Sequence, residues 1–220
     1  MRAAVFWLPE DQDPLALAGA NWLGRDAIRD IAVPQPSPKL ACVTRSPARY
    51  GFHATLKPPM HLKHSLPALA DDLSVLAKQL KPFPLPPLTI GTIGPALALL
   101  AVAPSPELQS LCDQCVARLD HHRAPPDEAE LAGRRAAPLS EHQAAMLERW
   151  GYPYVFAEWQ FHITLTSALP EKLLMPRKRE AAAHFAASLA IERQVQSLAL
   201  LVERETGGFF ILAQRFPLGA

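Results

Sequence analysis

The feature that most constrains the fold of this chain is a hexamer that occurs twice. Residues 52–57 read FHATLK, and residues 161–166 read FHITLT, 109 residues later. In each copy a predicted helix follows, and then two strands joined by a turn. The strand pair comes 36 residues after the His in both copies. A shared hexamer followed by the same elements at the same distance indicates an internal duplication.

The duplication predicts an α+β fold with two lobes related by a pseudo-two-fold axis. Each lobe is expected to be an antiparallel sheet with helices on its outer face, and a central cleft is expected between the lobes. The whole chain is expected to form this single bilobal domain. The repeats are placed at about 48–104 and 157–216, with a connection at about 105–156. Residues 32–49, which hold four prolines, are predicted to be a loop.

Composition excludes several classes of protein. The 22 Lys and Arg residues nearly balance the 21 Asp and Glu residues, which argues against bulk binding of nucleic acid. The uncharged residues 82–106 are interrupted by prolines and glycines, so they form no apolar span of membrane length. Three cysteines make no disulfide framework. We expect a cytoplasmic protein without a membrane partner, and a monomer, because one chain supplies both halves of a two-fold site.

The repeated His-x-Thr pattern predicts a catalytic site. Alternate residues of a strand share a face, so His53 lies beside Thr55 in the first copy, and His162 beside Thr164 in the second. Two imidazoles that titrate near neutral pH can divide the roles of general base and general acid. The Thr hydroxyls can bind the non-bridging oxygens of a phosphate. The pattern therefore predicts cleavage of a phosphodiester without a cofactor, and leaves open which His is the base.

A metal site built on the two motif histidines is the alternative. It would need further carboxylate or imidazole ligands, and neither strand supplies a carboxylate, so no metal is predicted. Four other histidines stand in two pairs. His61 and His64 follow the first strand; they could form half of a metal site but are interpreted as surface or capping residues. The adjacent His121 and His122 fit the end of a predicted helix.

Paired His-x-Thr strands in a duplicated chain of this size resemble the 2H phosphoesterase superfamily. This superfamily includes the RNA 2′,3′-cyclic phosphodiesterases, also called 2′-5′ RNA ligases. The segments YGFHATLKP (50–58), WGYPYV (150–155) and FHITLT (161–166) further resemble a branch of 2H-like proteins encoded among phosphonate-metabolism genes. Residues 123–125 and the pair Arg134 and Arg135 resemble that branch too. The resemblance covers nearly the whole chain.

The resemblance implies roles for the four motif residues. It makes His53 and His162 the catalytic pair, and Thr55 and Thr164 the phosphate ligands. It also implies metal-independent action on a small cyclic or linear phosphodiester. The substrate that it suggests is a ribose cyclic phosphate of phosphonate catabolism, since the branch is encoded with such genes.

Further residues are candidates for binding the substrate. Lys57 and Thr166 fall on the His faces if the period of two continues. The Arg123 guanidinium suits a phosphate, and Tyr152 and Tyr154 could stack on a base or a ribose. The role of Arg134 and Arg135 stays open.

Two other functions remain compatible with the same site. The first is a binding module that senses a phosphorylated metabolite without turnover. The second is an enzyme that acts on RNA ends, for which a short RNA would be the partner. It would need a basic track beyond the cleft, which the near-neutral charge does not favour.

Overall fold

The computed structural model describes residues 1–126, 131–132 and 138–219, and it has the predicted α+β class. The helices are α1 (Pro14–Leu23), α2 (Ala41–Ala48), α3 (Leu66–Gln79), α4 (Pro106–Arg118), α5 (Glu141–Trp150) and α6 (Glu171–Leu189). The strands are β1 (Arg2–Trp7), β2 (Arg25–Asp26), β3 (Ile31–Ala32), β4 (Ala54–His61), β5 (Phe83–Leu85), β6 (Leu88–Ile93), β7 (Ala96–Ala101), β8 (His162–Thr164), β9 (Arg193–Val195), β10 (Ser197–Glu203) and β11 (Phe210–Pro217). Short 3-10 helices lie at Pro38–Leu40, Asp120–His122 and Phe156–Glu158. In the described ranges, no helix is both long enough and apolar enough to cross a bilayer.

Side-chain caps and prolines fix where several helices begin. Asp13, Ser65 and Ser105 each accept a hydrogen bond from a backbone N–H of the following helix, and a proline occupies the first turn each time. Ser140 and Gln143 form a reciprocal capping box at the start of α5. Each cap is worth about 1 kcal/mol. Many of the 23 prolines therefore mark the boundaries of short elements.

The predicted loop at residues 32–49 is wrong for its second half, which forms α2. Pro47 lies inside this helix and has no N–H to donate to the carbonyl of Val43, one turn earlier. The backbone N–H of Ser167 donates to that carbonyl instead, at 2.7 Å. A contact from the second motif thus supplies the hydrogen bond that Pro47 removes, which the local sequence did not reveal.

Seven of the described strands form one antiparallel sheet in the order β11-β10-β1-β4-β8-β7-β6. The two motif strands, β4 and β8, are neighbours in the middle. The β6–β7 hairpin of the first repeat lies beside β8, and the β10–β11 hairpin of the second repeat joins β4 through β1. The helices show the same exchange, because α3 packs on β10 and β11, and α6 packs on β6 and β7.

The two repeats therefore exchange their hairpins rather than each folding as a separate sheet. The exchange takes place where β5 pairs antiparallel with β9, because these two segments lead from each helix to its hairpin. Each half of the sheet combines one motif strand, the helix that follows it and the hairpin of the other repeat. The motif strands are thereby held next to each other at the middle of the sheet.

The two faces of the sheet differ in what covers them. Along β1, the side chains of Ala3, Val5 and Trp7 belong to the main core, which includes the buried residues of α3, α4 and α6. The alternate residues Ala4 and Phe6 belong to a smaller cluster on the opposite face, together with residues of β10 and β11. This second face carries the motif histidines.

Candidate active site

The two motif strands pair at Ala54 and Ile163, and both of these side chains are fully buried in the main core. Side chains alternate along a strand, so the residues on either side of this pair point to the other face of the sheet. Those flanking residues are the His and Thr of the two motifs.

In the antiparallel pairing of β4 with β8, the His of each motif lies opposite the Thr of the other motif. This pairing sets His53 opposite Thr164, and Thr55 opposite His162. Cross-strand neighbours lie about 5 Å apart at Cβ and share a face. The four residues therefore form one patch, in which each imidazole has a Thr on its own strand and another on the neighbouring strand.

Backbone carbonyls set the tautomer of both histidines. The Nδ1 of His53 lies 2.9 Å from the Gly51 carbonyl, and the Nδ1 of His162 lies 2.8 Å from the Gln160 carbonyl. A carbonyl can only accept, so in each neutral ring Nδ1 carries the proton and Nε2 carries the lone pair. In both repeats the carbonyl belongs to the residue two positions earlier. Each ring thus has its Nε2 available for proton transfer.

The first of these carbonyls depends on a glycine. Gly51 has a φ of +81°, in the left-handed region, and a Cβ there would lie 2.4 Å from the Cβ of Ala27. Another residue would be strained and would also clash. The local structure therefore requires a glycine at position 51 of the YGFH segment.

His53 is packed against aromatic rings. The Phe6 ring stacks on it with centroids 3.9 Å apart, and the Tyr50 ring lies at 5.9 Å. Burial lowers the pKa of His53 to about 4, the hydrogen bond to Gly51 opposes this change, and the charge of His162 lowers the pKa further. The Thr55 hydroxyl lies 3.2 Å from Nε2 and can donate to its lone pair.

His162 is less strongly perturbed. Burial lowers its pKa below the usual value, and the hydrogen bond to Gln160 opposes this change. Its neighbour on β7 is Leu100, an aliphatic residue. The two histidines therefore share an orientation but differ in environment.

Two residues that support the site were not identified from the sequence, Phe6 and Trp159. The Trp159 indole donates to the carbonyl of Thr55 at 2.9 Å, which ties β4 to the segment before β8. Phe6 reaches His53 because β1 pairs with β4, with Phe6 opposite Thr55. The alternation within β1 was visible in the sequence, but its partner strand was not.

Lys57 does not share the His face, so its predicted position is wrong. Between Thr55 and Lys57 the pairing of β4 with β1 shifts by one residue, and Lys57 comes opposite Val5, a residue of the main core. The bulge breaks the period of two. The ammonium group is buried, and it donates to the Val116 carbonyl and to Asp120, both at 3.0 Å.

The predicted position of Thr166 is also wrong. Thr166 lies beyond the end of β8 and is fully buried. Its hydroxyl oxygen accepts a hydrogen bond from the backbone N–H of Leu97 at 3.0 Å. Because β8 ends at Thr164, the alternation of side chains does not continue to Thr166. Its hydroxyl therefore binds the backbone of β7 and does not lie on the face of the histidines.

The remaining candidates lie in the connection between the repeats. Arg123 makes two hydrogen bonds to the Asp120 carboxylate, at 2.9 and 2.8 Å. The rings of Tyr152 and Tyr154 contact each other edge to face, with centroids 5.6 Å apart. Their role in substrate binding stays a prediction. Arg134 and Arg135 lie outside the described residues.

A basic group lies near the aromatic rings around His53. Arg2 and Arg49 both form ion pairs with the buried Glu203. The Arg49 guanidinium lies 5.6 Å from the centroid of the Tyr50 ring. Burial alone would raise the pKa of Glu203, but hydrogen bonds from the two arginines lower it to about 2.

The patch of two His and two Thr side chains combines imidazoles with hydroxyls, which suits proton transfer and anion binding. A separate cluster with the geometry of metal ligands is formed by Asp72, His121 and His122. This cluster lies near the other end of β4, because residues 62 and 123 form a β-bridge just beyond that strand.

Comparison with known families identifies the chain. Residues 55–211 match a family model described as "Protein of unknown function (DUF1045)". This match spans more than half of the chain. The chain belongs to the DUF1045 family. The matched part of this DUF1045 protein contains Thr55, His162 and Thr164, and it begins two residues after His53.

Curated relatives of the DUF1045 chain carry one common name. A protein of Janthinobacterium sp. (strain Marseille), named ribose 1,5-bisphosphate phosphokinase PhnN, is 35% identical over 98% of the chain and 50% of its own length. A protein of the same name from Laribacter hongkongensis (strain HLHK9) is 36% identical over 97% of the chain and 51% of its own length. The DUF1045 chain therefore spans about half the length of these relatives.

Solved structures similar to the chain include a phosphoesterase and LigT. The phosphoesterase is 14% identical with a TM-score of 0.45, and E. coli LigT complexed with 3′-AMP is 13% identical with a TM-score of 0.49. Both matches cover 100% of the DUF1045 chain and 98% of the other chain.

Proposed function

We propose that this DUF1045 protein is a metal-independent phosphoesterase that hydrolyses a small cyclic or linear phosphodiester. The observation that carries the proposal is the crossed His-x-Thr patch. Two imidazoles with the same backbone-fixed tautomer lie next to two hydroxyls on one face of a sheet. The chain thereby supplies a proton acceptor, a proton donor and two hydrogen-bond donors for a phosphate, so the reaction needs no metal ion.

His53 suits the general base. Its pKa of about 4 keeps it neutral at pH 7, with the lone pair on Nε2. In the proposed step, Nε2 takes a proton from water while the water oxygen forms a bond to phosphorus. The Thr55 hydroxyl, which contacts Nε2 in the free protein, then turns to a non-bridging oxygen of the phosphate.

His162 suits the general acid. Its pKa is lowered without the aromatic stacking that covers His53. A bound phosphodiester is an anion, and it favours the protonated form of a neighbouring imidazole. As the P–O bond breaks, Nε2–H donates its proton to the leaving oxygen. A cyclic diester gives one phosphomonoester that carries the freed hydroxyl group, and a linear diester gives a phosphomonoester and a separate alcohol. In both cases the two histidines have exchanged their protonation states.

A phosphorylated ribose is the substrate class that fits best. The curated relatives are named for ribose 1,5-bisphosphate, and this chain matches about half of their length. A cyclic ribose phosphate is the corresponding diester. The Arg49 guanidinium lies beside the Tyr50 ring, and a guanidinium there suits a second phosphate of such a substrate.

The test is a screen of cyclic phosphates with phosphorus NMR as the readout. The panel contains ribose 1,2-cyclic 5-phosphate, its analogue without the 5-phosphate, nucleoside 2′,3′-cyclic phosphates and short RNAs with a cyclic end. We expect turnover in EDTA that favours the small phosphorylated ribose, with no turnover by the double variant His53→Ala/His162→Ala.

Three outcomes of this screen would contradict the proposal. Saturable binding of these compounds without any product would indicate a sensor, and a preference for the RNAs over the small compounds would indicate an enzyme of RNA ends. Turnover that the double variant retains would come from a contaminant or from another site.

A further inference from the structure

A second cluster of histidines lies apart from the catalytic patch. The Nε2 atoms of His121 and His122 each lie 2.9 Å from the same carboxylate oxygen of Asp72. The ring centroid of His64 is 5.3 Å from that of His122 and 6.0 Å from that of His121. Three separate segments therefore meet here: the turn after β4, helix α3 and the 3-10 helix at Asp120–His122.

Backbone hydrogen bonds hold two of these segments together. The N–H of Lys63 donates to the His122 carbonyl, and the N–H of Ala124 donates to the His61 carbonyl, both at 2.8 Å. Strand β4 separates this cluster from His53 by eight residues, or about 26 Å at about 3.3 Å per residue. The cluster is thus positioned by the backbone and is independent of the catalytic site.

The polar contacts of His122 are incomplete. The residue is only 2% exposed, and its Nδ1 is buried without a hydrogen-bond partner in the part of the chain that the structure describes. Buried imidazole nitrogens are normally paired, so this nitrogen is unusual, although it is not the atom through which His122 meets Asp72. The side chain makes its polar contact through Nε2, which is directed at Asp72.

Asp72 is ready to act as a ligand. One of its oxygens is shared by two imidazoles, so three atoms of ligand type converge on a small volume.

We propose that Asp72, His121 and His122 bind a divalent transition-metal ion of the zinc class. Their ligand atoms lie within 4.8 Å of one another. Ligands of a tetrahedral zinc ion lie about 3.3 Å apart, given bonds of about 2.0–2.1 Å, so the 2.9 Å contacts need to open only slightly. His64 or a water completes the coordination. Each imidazole binds through the Nε2 lone pair while its ring proton moves to Nδ1.

The ligand set also selects the metal. Two imidazoles and one carboxylate suit zinc and its neighbours, whereas magnesium and calcium prefer oxygen ligands throughout. The ion would join α3 to the turn after β4 and to the 3-10 helix. Its effect is therefore expected on stability, while the phosphoesterase chemistry proceeds without it.

The experiment uses the full chain after its metals have been removed with EDTA and the EDTA exchanged away. Titration with zinc chloride is followed by calorimetry and by the thermal midpoint. We expect one saturable site and a higher midpoint, since an ion that binds only the folded state stabilises it. Magnesium chloride should leave the midpoint unchanged.

Two exposed ligands provide variants that keep the core intact. Asp72→Asn and His121→Ala should each weaken zinc binding at least tenfold. His142→Ala is the matched control, because His142 also forms a surface pair with a carboxylate, Glu158, at 2.9 Å. It should bind zinc like the unchanged protein. Melting curves without metal check that each variant is folded.

The catalytic histidines are the competing place for zinc. The double variant His53→Ala/His162→Ala should therefore retain zinc binding and the rise in the thermal midpoint. The proposal is wrong if the unchanged protein shows no saturable binding. It is equally wrong if the double variant loses the site while Asp72→Asn keeps it.

Discussion

The two motif strands have almost the same sequence and the same backbone geometry, but they give their histidines different environments. Both rings donate through Nδ1 to a carbonyl two residues earlier. His53 is stacked on Phe6, and its pKa falls to about 4, whereas the pKa of His162 is lowered with no stacked ring among the described residues. The shared motif geometry therefore fixes where the imidazoles lie, and the neighbouring strands decide how each one titrates.

In the proposed mechanism, this difference gives the two histidines different roles. β1 packs beside β4 and contributes Phe6, while β7 packs beside β8 and contributes Leu100. His53 is covered by an aromatic ring, whereas the cross-strand neighbour of His162 is aliphatic, so the two histidines lie in different environments. Burial disfavours the charged imidazole, so in the proposed mechanism the more covered histidine is the one that stays neutral and accepts the proton.

The largest expected effect is the loss of either histidine. His53→Ala and His162→Ala should each lower kcat/KM by about 10²–10⁴-fold, because each removes one proton-transfer step. Together they should cost little more than either alone, since the two act as a unit. Steady-state kinetics on the best compound of the screen measures this. If one variant kept full activity, the two halves would not share the chemistry.

The threonines should show the next largest effect. Thr164→Val removes a hydroxyl beside the phosphate and should lower kcat by about 10²-fold. Thr55→Val should do the same and should also change the pH dependence, because its hydroxyl contacts the Nε2 of His53. The same rate and the same pH profile in both variants as in the unchanged protein would argue against phosphate binding by these hydroxyls.

The residues after each motif should affect stability rather than substrate binding. Lys57→Met leaves the Val116 carbonyl without its donor and should lower the free energy of unfolding by about 2 kcal/mol. Thr166→Val removes the acceptor for the Leu97 N–H and should lower it by about 1–2 kcal/mol. Denaturant unfolding measures both. A large rise in KM without loss of stability in either variant would indicate that the substituted residue binds substrate.

The smallest effect should come from the ring that covers His53. Phe6→Leu keeps the position apolar but removes the stacked ring, so the pKa of His53 should rise towards its usual value. The acidic limb of the kcat/KM profile should then move to higher pH by about half a unit. Leu100→Ala is the matched change beside His162, and it should leave the acidic limb in place. Equal shifts of the acidic limb in both variants would contradict the proposed difference between the environments of His53 and His162.

Local signals in the sequence predicted much of the framework. The His-x-Thr pattern and the period of a strand predicted that the four motif residues share a face, and Ala54 and Ile163 point to the core as expected. The side-chain caps and prolines at the starts of several helices are local signals of the same kind. These signals act over a few residues, so they can be read without knowledge of the tertiary structure.

Features that depend on contacts between distant segments were missed. The bulge that turns Lys57 inward arises from the pairing of β4 with β1, and the helix that contains Pro47 needs a donor from Ser167. The exchange of hairpins depends on β5 and β9, which are more than a hundred residues apart. The convergence of His121 and His122 on Asp72 likewise brings together parts of the chain that no local pattern connects.

The pH profile of kcat/KM in EDTA tests the paired-histidine account most directly. His53 must be neutral to act as the base, so activity should rise as the pH increases through about 4. His162 must be protonated to act as the acid, so activity should fall as the pH increases through its pKa, which lies below 6.5 in the free protein. We predict a bell-shaped profile with its maximum on the acidic side of neutral. A rate that stays constant from pH 4 to pH 8 would contradict the account.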